Sequence, residues 1–110
     1  EQVTALETSG SVVAMYARTS SWSGSPEALE KWAVHVSAHV APFVAGLPGN
    51  AGCVFLIDRE SGCGLTLTLW DSEAGALASD RNAEQSRAST LAATGVELDE
   101  RGRYEVVVRV

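Results

Sequence analysis

The chain has two histidines, His35 and His39, which stand four residues apart in a segment that is predicted to be helical. Residues at this spacing share one helix face, which is a sound start for a metal site, but no third ligand follows in a motif and we predict no metal. A neutral imidazole can accept a proton near pH 7. His39 lies beside Trp32 at the border of the apolar stripe and is the candidate general base, whereas His35 lies further out and is a candidate ligand contact. The alternative is a half-exposed pair with no chemistry.

Tyr16 and Arg18 share a face of the first predicted strand. In a pocket, the Tyr16 hydroxyl would hydrogen-bond a ligand oxygen and the Arg18 guanidinium would stabilise a developing oxyanion. The alternative for Arg18 is a solvated charge. Ser72 is interpreted as a helix cap, since no base is placed near it, and no glycine-rich phosphate loop follows a strand.

The predicted strands, helices and loops would have to position these side chains. The pattern predicts a strand at 12–19, a Ser/Gly loop at 20–24, a hairpin at 53–70 and a strand at 103–110, with an acidic connection at 96–102. Ser25-Pro26-Glu27 is a helix start, with Ser25 as cap. The stripe of this helix is Leu29, Ala33, Val36, Val40, Phe43, Val44 and Leu47, and Pro42 predicts a kink within it. A second helix opens at 71–73 and closes at Gly95, with the stripe Ala74, Leu77, Ala78, Ala88, Leu91 and Ala92.

The hairpin from Cys53 to Trp70 predicts more than local structure. Its first arm is a strand that is apolar on both faces, so both faces of the sheet must be covered. The two predicted helices can cover only one face. The order β-α-β-β-α-β is the ferredoxin-like α+β pattern, with an antiparallel sheet, the first and third strands central and both helices on one face. A twofold dimer, sheet against sheet, is the simplest cover for the bare face.

Composition narrows the function classes. The 110 residues predict one domain at 12–110 after a flexible extension at 1–11. A net charge of −6 with scattered basic residues argues against nucleic acid and anionic membranes as partners. No apolar run is long enough to cross a bilayer. Cys53 is expected opposite Thr68, and Cys63 opposite Asp58, so the two thiols are predicted to be free, packed as small hydrophobes, and the compartment cytoplasmic.

A family resemblance rests on five motifs: Pro42 late in the first helix, the segment 47–49 with Gly52, the turn 58–62, the segment 69–73, and the segment 103–106. With these motifs, residues 12–110 resemble the dimeric α/β-barrel superfamily, in its antibiotic-biosynthesis-monooxygenase-like branch. The resemblance implies a homodimer with a ligand pocket in each subunit, between the sheet and its own helices. It also implies a cofactor-independent oxidation of phenolic substrates. Haem-degrading relatives use a histidine in the second helix, and this chain has none there.

The resemblance also selects candidate residues. Trp70 matches a tryptophan at the same strand end in the cofactor-free monooxygenases, and we predict that it positions a flat aromatic ring. Relatives carry an asparagine on this strand where the chain has Thr66. Phe43, Leu67 and Trp32 are expected to line the same pocket. The predicted function is therefore binding of a small hydrophobic or aromatic ligand, with oxidation and without a cofactor. The alternative is a non-catalytic homodimeric module whose pocket is filled by its own side chains.

Overall fold

The computed structural model describes residues 15–110, and the predicted extension at 1–11 lies outside the described residues. The strands are β1 (Tyr16–Ser23), β2 (Asn50–Asp58), β3 (Cys63–Trp70) and β4 (Glu97–Glu105). The helices are α1 (Pro26–His35), a π-helical turn (Val36–Val40), α2 (Ala41–Ala45) and α3 (Glu73–Thr94). All strand pairs are antiparallel in the order β2-β3-β1-β4. This is the predicted ferredoxin-like α+β fold, with the first and third strands central.

The first helical arm, formed by α1, the π-helical turn and α2, begins where the sequence predicts. The Ser25 hydroxyl accepts a hydrogen bond from the Ala28 amide at 3.1 Å, and Pro26 occupies the first helical position. The predicted kink takes the form of a π-helical turn, in which the Ala41 amide donates to the Val36 carbonyl. Pro42 directly follows this turn, has no amide hydrogen and crowds the preceding turn, so the extra residue widens the helix where its regular bonding fails.

The second helix, α3, also has the predicted ends. The Ser72 hydroxyl accepts from the Gly75 amide at 3.0 Å, and Gly95 ends the helix with φ of 80°, a left-handed conformation that glycine adopts without strain. The predicted apolar stripe, however, is wrong. Leu77 and Leu91 are exposed, and the buried residues are Ala76, Ser79, Arg87, Thr90 and Thr94. The helix turns small and polar side chains inward because that face borders a cavity.

Three strands differ in their bounds from the predictions, and β2 begins at Asn50, before the predicted Cys53. β1 runs through Ser23, where a loop was expected from residue 20, because Ser20 and Trp22 are paired on both sides, by β3 and by β4. Pairing on two edges and burial of Trp22 outweigh the low strand propensity of serine. β4 occupies 97–105 and not 103–110, because its chain pairs with β1 directly after Gly95, and the pairing ends where Tyr16 meets Glu105. The predicted acidic connection is therefore most of this strand.

The core lies between the helices and one face of the sheet. Its buried cluster is Trp22, Ala28, Leu29, Trp32, Val36 and Val96. The rings of Trp22 and Trp32 pack with their centroids 6.4 Å apart. Gly64 allows this packing, since a Cβ there would stand 3.0 Å from two ring atoms of Trp32. The glycine lets the indole lie directly on the backbone of β3.

The hairpin has the predicted register, with Cys53 opposite Thr68 and Cys63 opposite Asp58. Both cysteines are free thiols, but Cys63 is exposed and does not pack as a small hydrophobe. The alternation in β3 turns Thr66, Thr68 and Trp70 toward the helices and three leucines away from them. We call the sheet surface opposite the helices the open face; on it lie Val54, Leu56, Leu65, Leu67, Leu69 and Tyr104.

Among residues 15–110, no helix has the length and apolar character needed to span a membrane.

Candidate functional site

A cavity lies between the inner face of the sheet and the helices, which is where the resemblance places a ligand pocket. Its apolar walls come from both layers: Trp22, Val36, Val40, Phe43, Val44, Leu47, Phe55, Trp70 and Ala83. Its polar groups come from β1, β3 and α3: Arg18, Ser20, Thr66, Thr68, Ser79, Ser86, Arg87 and Thr90. The cavity is thus mainly apolar with a polar wall along α3, which is the usual composition of a small-molecule site.

The cavity is open but narrow. Its volume is about 60 Å³, or about 600 Å³ when all space between the lining atoms and the open mouth is counted. The smaller volume is well below the roughly 300 Å³ of ordinary ligand sites, so the cavity is narrow. Phe43 is 44% exposed and lines both this cavity and a neighbouring groove, which also contains His35 and His39. The wall around Phe43 is the short helix α2, which has no buried residue.

Trp70 is held rigidly at the end of β3. It is 1% exposed, and its indole Nε1 donates a hydrogen bond of 2.9 Å to the Thr68 hydroxyl oxygen. Because this donor is already used, Trp70 offers the cavity its ring and not its N–H. Trp70 therefore lines the cavity while its N–H is held by Thr68.

Two buried arginines flank the polar wall. In Arg18, Nη1 donates to the Ser79 hydroxyl oxygen at 3.0 Å and Nη2 donates to Asp80 Oδ1 at 2.9 Å. In Arg87, Nη2 lies 3.1 Å from the Asp80 carbonyl oxygen, 3.3 Å from its Oδ1 and 3.5 Å from Glu84 Oε1. The Arg18 and Arg87 side chains are 11% and 9% exposed, whereas that of Asp80 is 48% exposed. One half-exposed carboxylate thus lies against two nearly buried guanidinium groups and balances the charge of only one of them.

Burial lowers the pKa of Arg18. Asp80 opposes this effect, and the positive charges of Arg87 and Arg101 add to it. The guanidinium stays charged, because even a lowered arginine pKa lies far above neutral.

The predicted histidines do not line the cavity. His35 and His39 lie in a separate groove between the first helical arm and α3, with their ring centroids 5.2 Å apart. Partial burial, and then the charge of His39, lowers the pKa of His35. Val40, Phe43 and Ser86 line both spaces, so the groove adjoins the cavity. Among residues 15–110, no three His, Cys, Asp or Glu side chains converge as metal ligands.

The other predicted contacts divide between the two sides of the sheet. Arg18, Phe43, Thr66 and Trp70 line the cavity, and the structure brings these four together. Trp32 is buried in the adjoining core, and Tyr16 is paired with Trp70 at the strand end without lining the cavity. Leu67, between two inward-facing threonines, belongs to the open face.

Sequence reasoning missed the contribution of α3. Ser79, Ala83, Ser86, Arg87 and Thr90 recur at three- and four-residue spacing along the cavity wall. This spacing was visible in the sequence, but the competing leucine stripe on the same helix looked more like a core-facing surface. A polar inner face follows no simple hydrophobic pattern, because it faces a cavity and not a packed core.

No protein-family model matches the sequence, and no curated protein matches it. Several solved structures are similar in fold. MupZ from Pseudomonas fluorescens has a TM-score of 0.67 at 10% identity, over 81% of this chain and 66% of that chain. The monooxygenase from the gene ActVA-Orf6 of Streptomyces coelicolor, in complex with the ligand nanaomycin D, has a TM-score of 0.64 at 14% identity, over 89% of each chain.

SnoaB, a cofactor-independent oxygenase from Streptomyces nogalater, has a TM-score of 0.61 at 15% identity, over 88% of this chain and 95% of that chain. Identities this low establish the fold alone. The likeness agrees with the motifs found in the sequence, and this chain has the ferredoxin-like fold of the antibiotic-biosynthesis-monooxygenase-like proteins.

Proposed function

We propose that the cavity binds a small, flat, phenolic molecule and that the chain oxidises it with molecular oxygen, without a cofactor. The observation that carries this proposal is the pairing of an aromatic wall, formed by Trp70 and Phe43, with the buried guanidinium groups of Arg18 and Arg87. A planar aromatic molecule would bury its faces against the wall. Its oxygen would then lie toward the arginines, which stabilise negative charge in a water-poor site.

The chemistry follows from that orientation. An anthrone-type phenol loses a proton from its ring CH2 group, and the charge is delocalised onto the ring carbonyl oxygen, which becomes a phenolate that Arg18 and Arg87 stabilise. Dioxygen then forms a bond to the carbanionic carbon. The O–O bond breaks as that carbon loses its second hydrogen, so the CH2 group becomes C=O and one water leaves. The balance is CH2 + O2 → C=O + H2O, and dioxygen is the only oxidant required.

The proton acceptor is a water or His39. His39 lies in the adjoining groove, beyond Phe43, so proton transfer to it needs a water or a movement of the Phe43 ring. Thr66 lines the cavity and is a proposed ligand contact. Tyr16, Trp32, His35 and Leu67 were also predicted as contacts from the sequence, but they do not line the cavity. We propose no metal and no cofactor.

Assembly is the second part of the proposal. We propose a homodimer formed through the open face, because four large apolar side chains on it, Val54, Leu56, Leu65 and Tyr104, are exposed. A monomer rarely leaves such a patch uncovered. We place the protein in the cytoplasm, since Cys53 and Cys63 are free and the exposed Cys63 would be vulnerable in an oxidising compartment.

The test is oxygen uptake with an anthrone, followed by the absorbance of the quinone product. Arg87→Gln should lower kcat about a hundredfold, as expected for removing one oxyanion-stabilising donor. Trp70→Phe should lower kcat/KM about tenfold through weaker stacking. Arg81→Gln is the matched control, since Arg81 is exposed on the same helix and outside the cavity. Wild-type turnover no greater than the buffer rate would refute the enzyme proposal.

A non-catalytic homodimeric module, with its pocket largely filled by its own side chains, is the second candidate. The observation that favours it is the closed volume of about 60 Å³, which is well below the roughly 300 Å³ of ordinary ligand sites. Quenching of tryptophan fluorescence by a non-oxidisable anthraquinone distinguishes the two candidates. No saturable quenching and no oxygen uptake from an anthrone would support the non-catalytic module, and uptake would exclude it.

A further inference from the structure

Four of the chain's eight basic residues, scattered along the sequence, converge in the fold. Arg18 on β1, Arg101 and Arg103 on β4, and Ala76 and Asp80 on α3 line a cleft of about 230 Å³ on the far side of the Arg18 side chain from the cavity. Arg87 reaches the same Asp80 from the cavity side. Arg101 and Arg103 do not line the cavity, so this cleft is a separate surface.

Positive charge in the cleft is not balanced. Asp80 Oδ1 lies 2.9 Å from Arg18 Nη2, 3.3 Å from Arg87 Nη2 and 3.8 Å from Arg101 Nη1, so three guanidinium groups share a single carboxylate oxygen. Glu84 contributes one further carboxylate, at 3.5 Å from Arg87. Four positive charges thus meet two negative ones, in a chain whose net charge is −6.

Arg103 adds to the imbalance. It stands directly opposite Arg18 in the register of β1 and β4, and like charges in that position are destabilising. Within residues 15–110, no carboxylate lies within 4.0 Å of its guanidinium. Arg101 keeps a side chain that is 47% exposed, so its donors remain available from solvent. A surface selected only for stability would not oppose two arginines without a partner for each.

We propose that the cleft lined by Arg18, Arg101 and Arg103 binds a small oxyanion, a carboxylate or a phosphate group. A guanidinium presents paired N–H donors that match two oxygens of such a group, and charge-assisted hydrogen bonds are the strong ones. The anion would sit between Arg101 and Arg103 on β4, with Arg18 behind it. It would relieve the repulsion between Arg18 and Arg103 that the fold otherwise retains.

The experiment is a 1H–15N NMR titration of the full chain with sodium phosphate and, separately, sodium acetate, at an ionic strength held constant with sodium chloride. The amides of 76–80 and 101–103 should shift saturably. Saturation with phosphate alone identifies a phosphate site, and saturation with acetate a carboxylate site. Shifts no greater than those in chloride alone would overturn the proposal.

Single substitutions of Arg101 and Arg103 test whether the anion binds in this cleft. Arg101→Gln and Arg103→Gln should each weaken binding about tenfold, as expected for one charge-assisted contact. Both side chains are exposed, so folding should be preserved, which the undisturbed remainder of the spectrum verifies. Arg81→Gln removes the same charge from the exposed surface of α3 and should leave the affinity unchanged. Equal weakening by all three variants would show a general charge effect and overturn the site.

Discussion

The substitution Leu56→Asp tests the proposed dimer most directly. Leu56 lies on β2, opposite Leu65 on β3, and the two side chains are 48% and 37% exposed on the open face. If a second copy covers this face, the twofold symmetry places the substituted residue in the interface twice. The same carboxylate on an uncovered surface would be solvated and nearly without effect.

The expected loss of association free energy follows from the exposure of Leu56. Full burial of a leucine side chain contributes about 1.5–3 kcal/mol, so covering the exposed half contributes about 1 kcal/mol per subunit and about 2 kcal/mol per dimer. Two carboxylates removed from water without partners add at least about 2 kcal/mol more. A loss of about 4 kcal/mol corresponds to a dissociation constant raised about a thousandfold.

Sedimentation equilibrium over a range of concentrations measures this change. The wild type should be dimeric at micromolar concentration, and Leu56→Asp should be monomeric at the same concentration with unchanged circular dichroism. Leu77→Asp is the control, because Leu77 is 39% exposed on the outer side of α3 and carries the same substitution away from the open face. A monomeric wild type, or a Leu56→Asp variant that associates as tightly as the control, would refute the reasoning.

Two further predictions concern stability. The pKa of His35 in the folded protein is lowered, chiefly by burial and then by His39. The unfolded chain therefore binds more protons at mildly acidic pH, and the free energy of unfolding should fall as the pH drops through about 6.5. Urea denaturation at several pH values measures this slope, which His35→Gln should flatten. Gly64→Ala should destabilise the fold by about 1–3 kcal/mol, because the new Cβ meets the Trp32 ring at 3.0 Å. Gly46→Ala, where the nearest atom is 3.7 Å away and φ is −88°, should not destabilise it, and equal melting temperatures for the two variants would contradict the packing described for Gly64.

Local signals predicted most of the element order. The caps at Ser25 and Ser72, the end of α3 at Gly95 and the register of the hairpin depend on residues near one another in the chain. The disturbance near Pro42 was also predictable, since it follows from a missing amide hydrogen. The boundaries of β1 and β4 could not be predicted from local signals, because a strand ends where its pairing partner ends, and these partners are distant in sequence.

The candidate site was harder to predict from the sequence than the fold. Arg18, Phe43, Thr66 and Trp70 were identified as site residues, and they do line one cavity. The histidines were selected for their chemistry alone, and the structure places them in the adjoining groove. Arg87 had no local pattern to distinguish it from an ordinary surface arginine on a helix.

The sequence by itself determined the order of strands and helices and the excess of apolar surface on the hairpin, because caps, breakers and periodicity act over a few residues. Only the tertiary structure decided which face of α3 turns inward, that Arg18, Arg87 and Arg101 share the carboxylate of Asp80, and that Arg103 lines the same cleft. Their separation along the chain exceeds eighty residues between Arg18 and Arg103. The pairing of β1 with β4 and the packing of α3 across them bring these charges together, and no local rule encodes that contact.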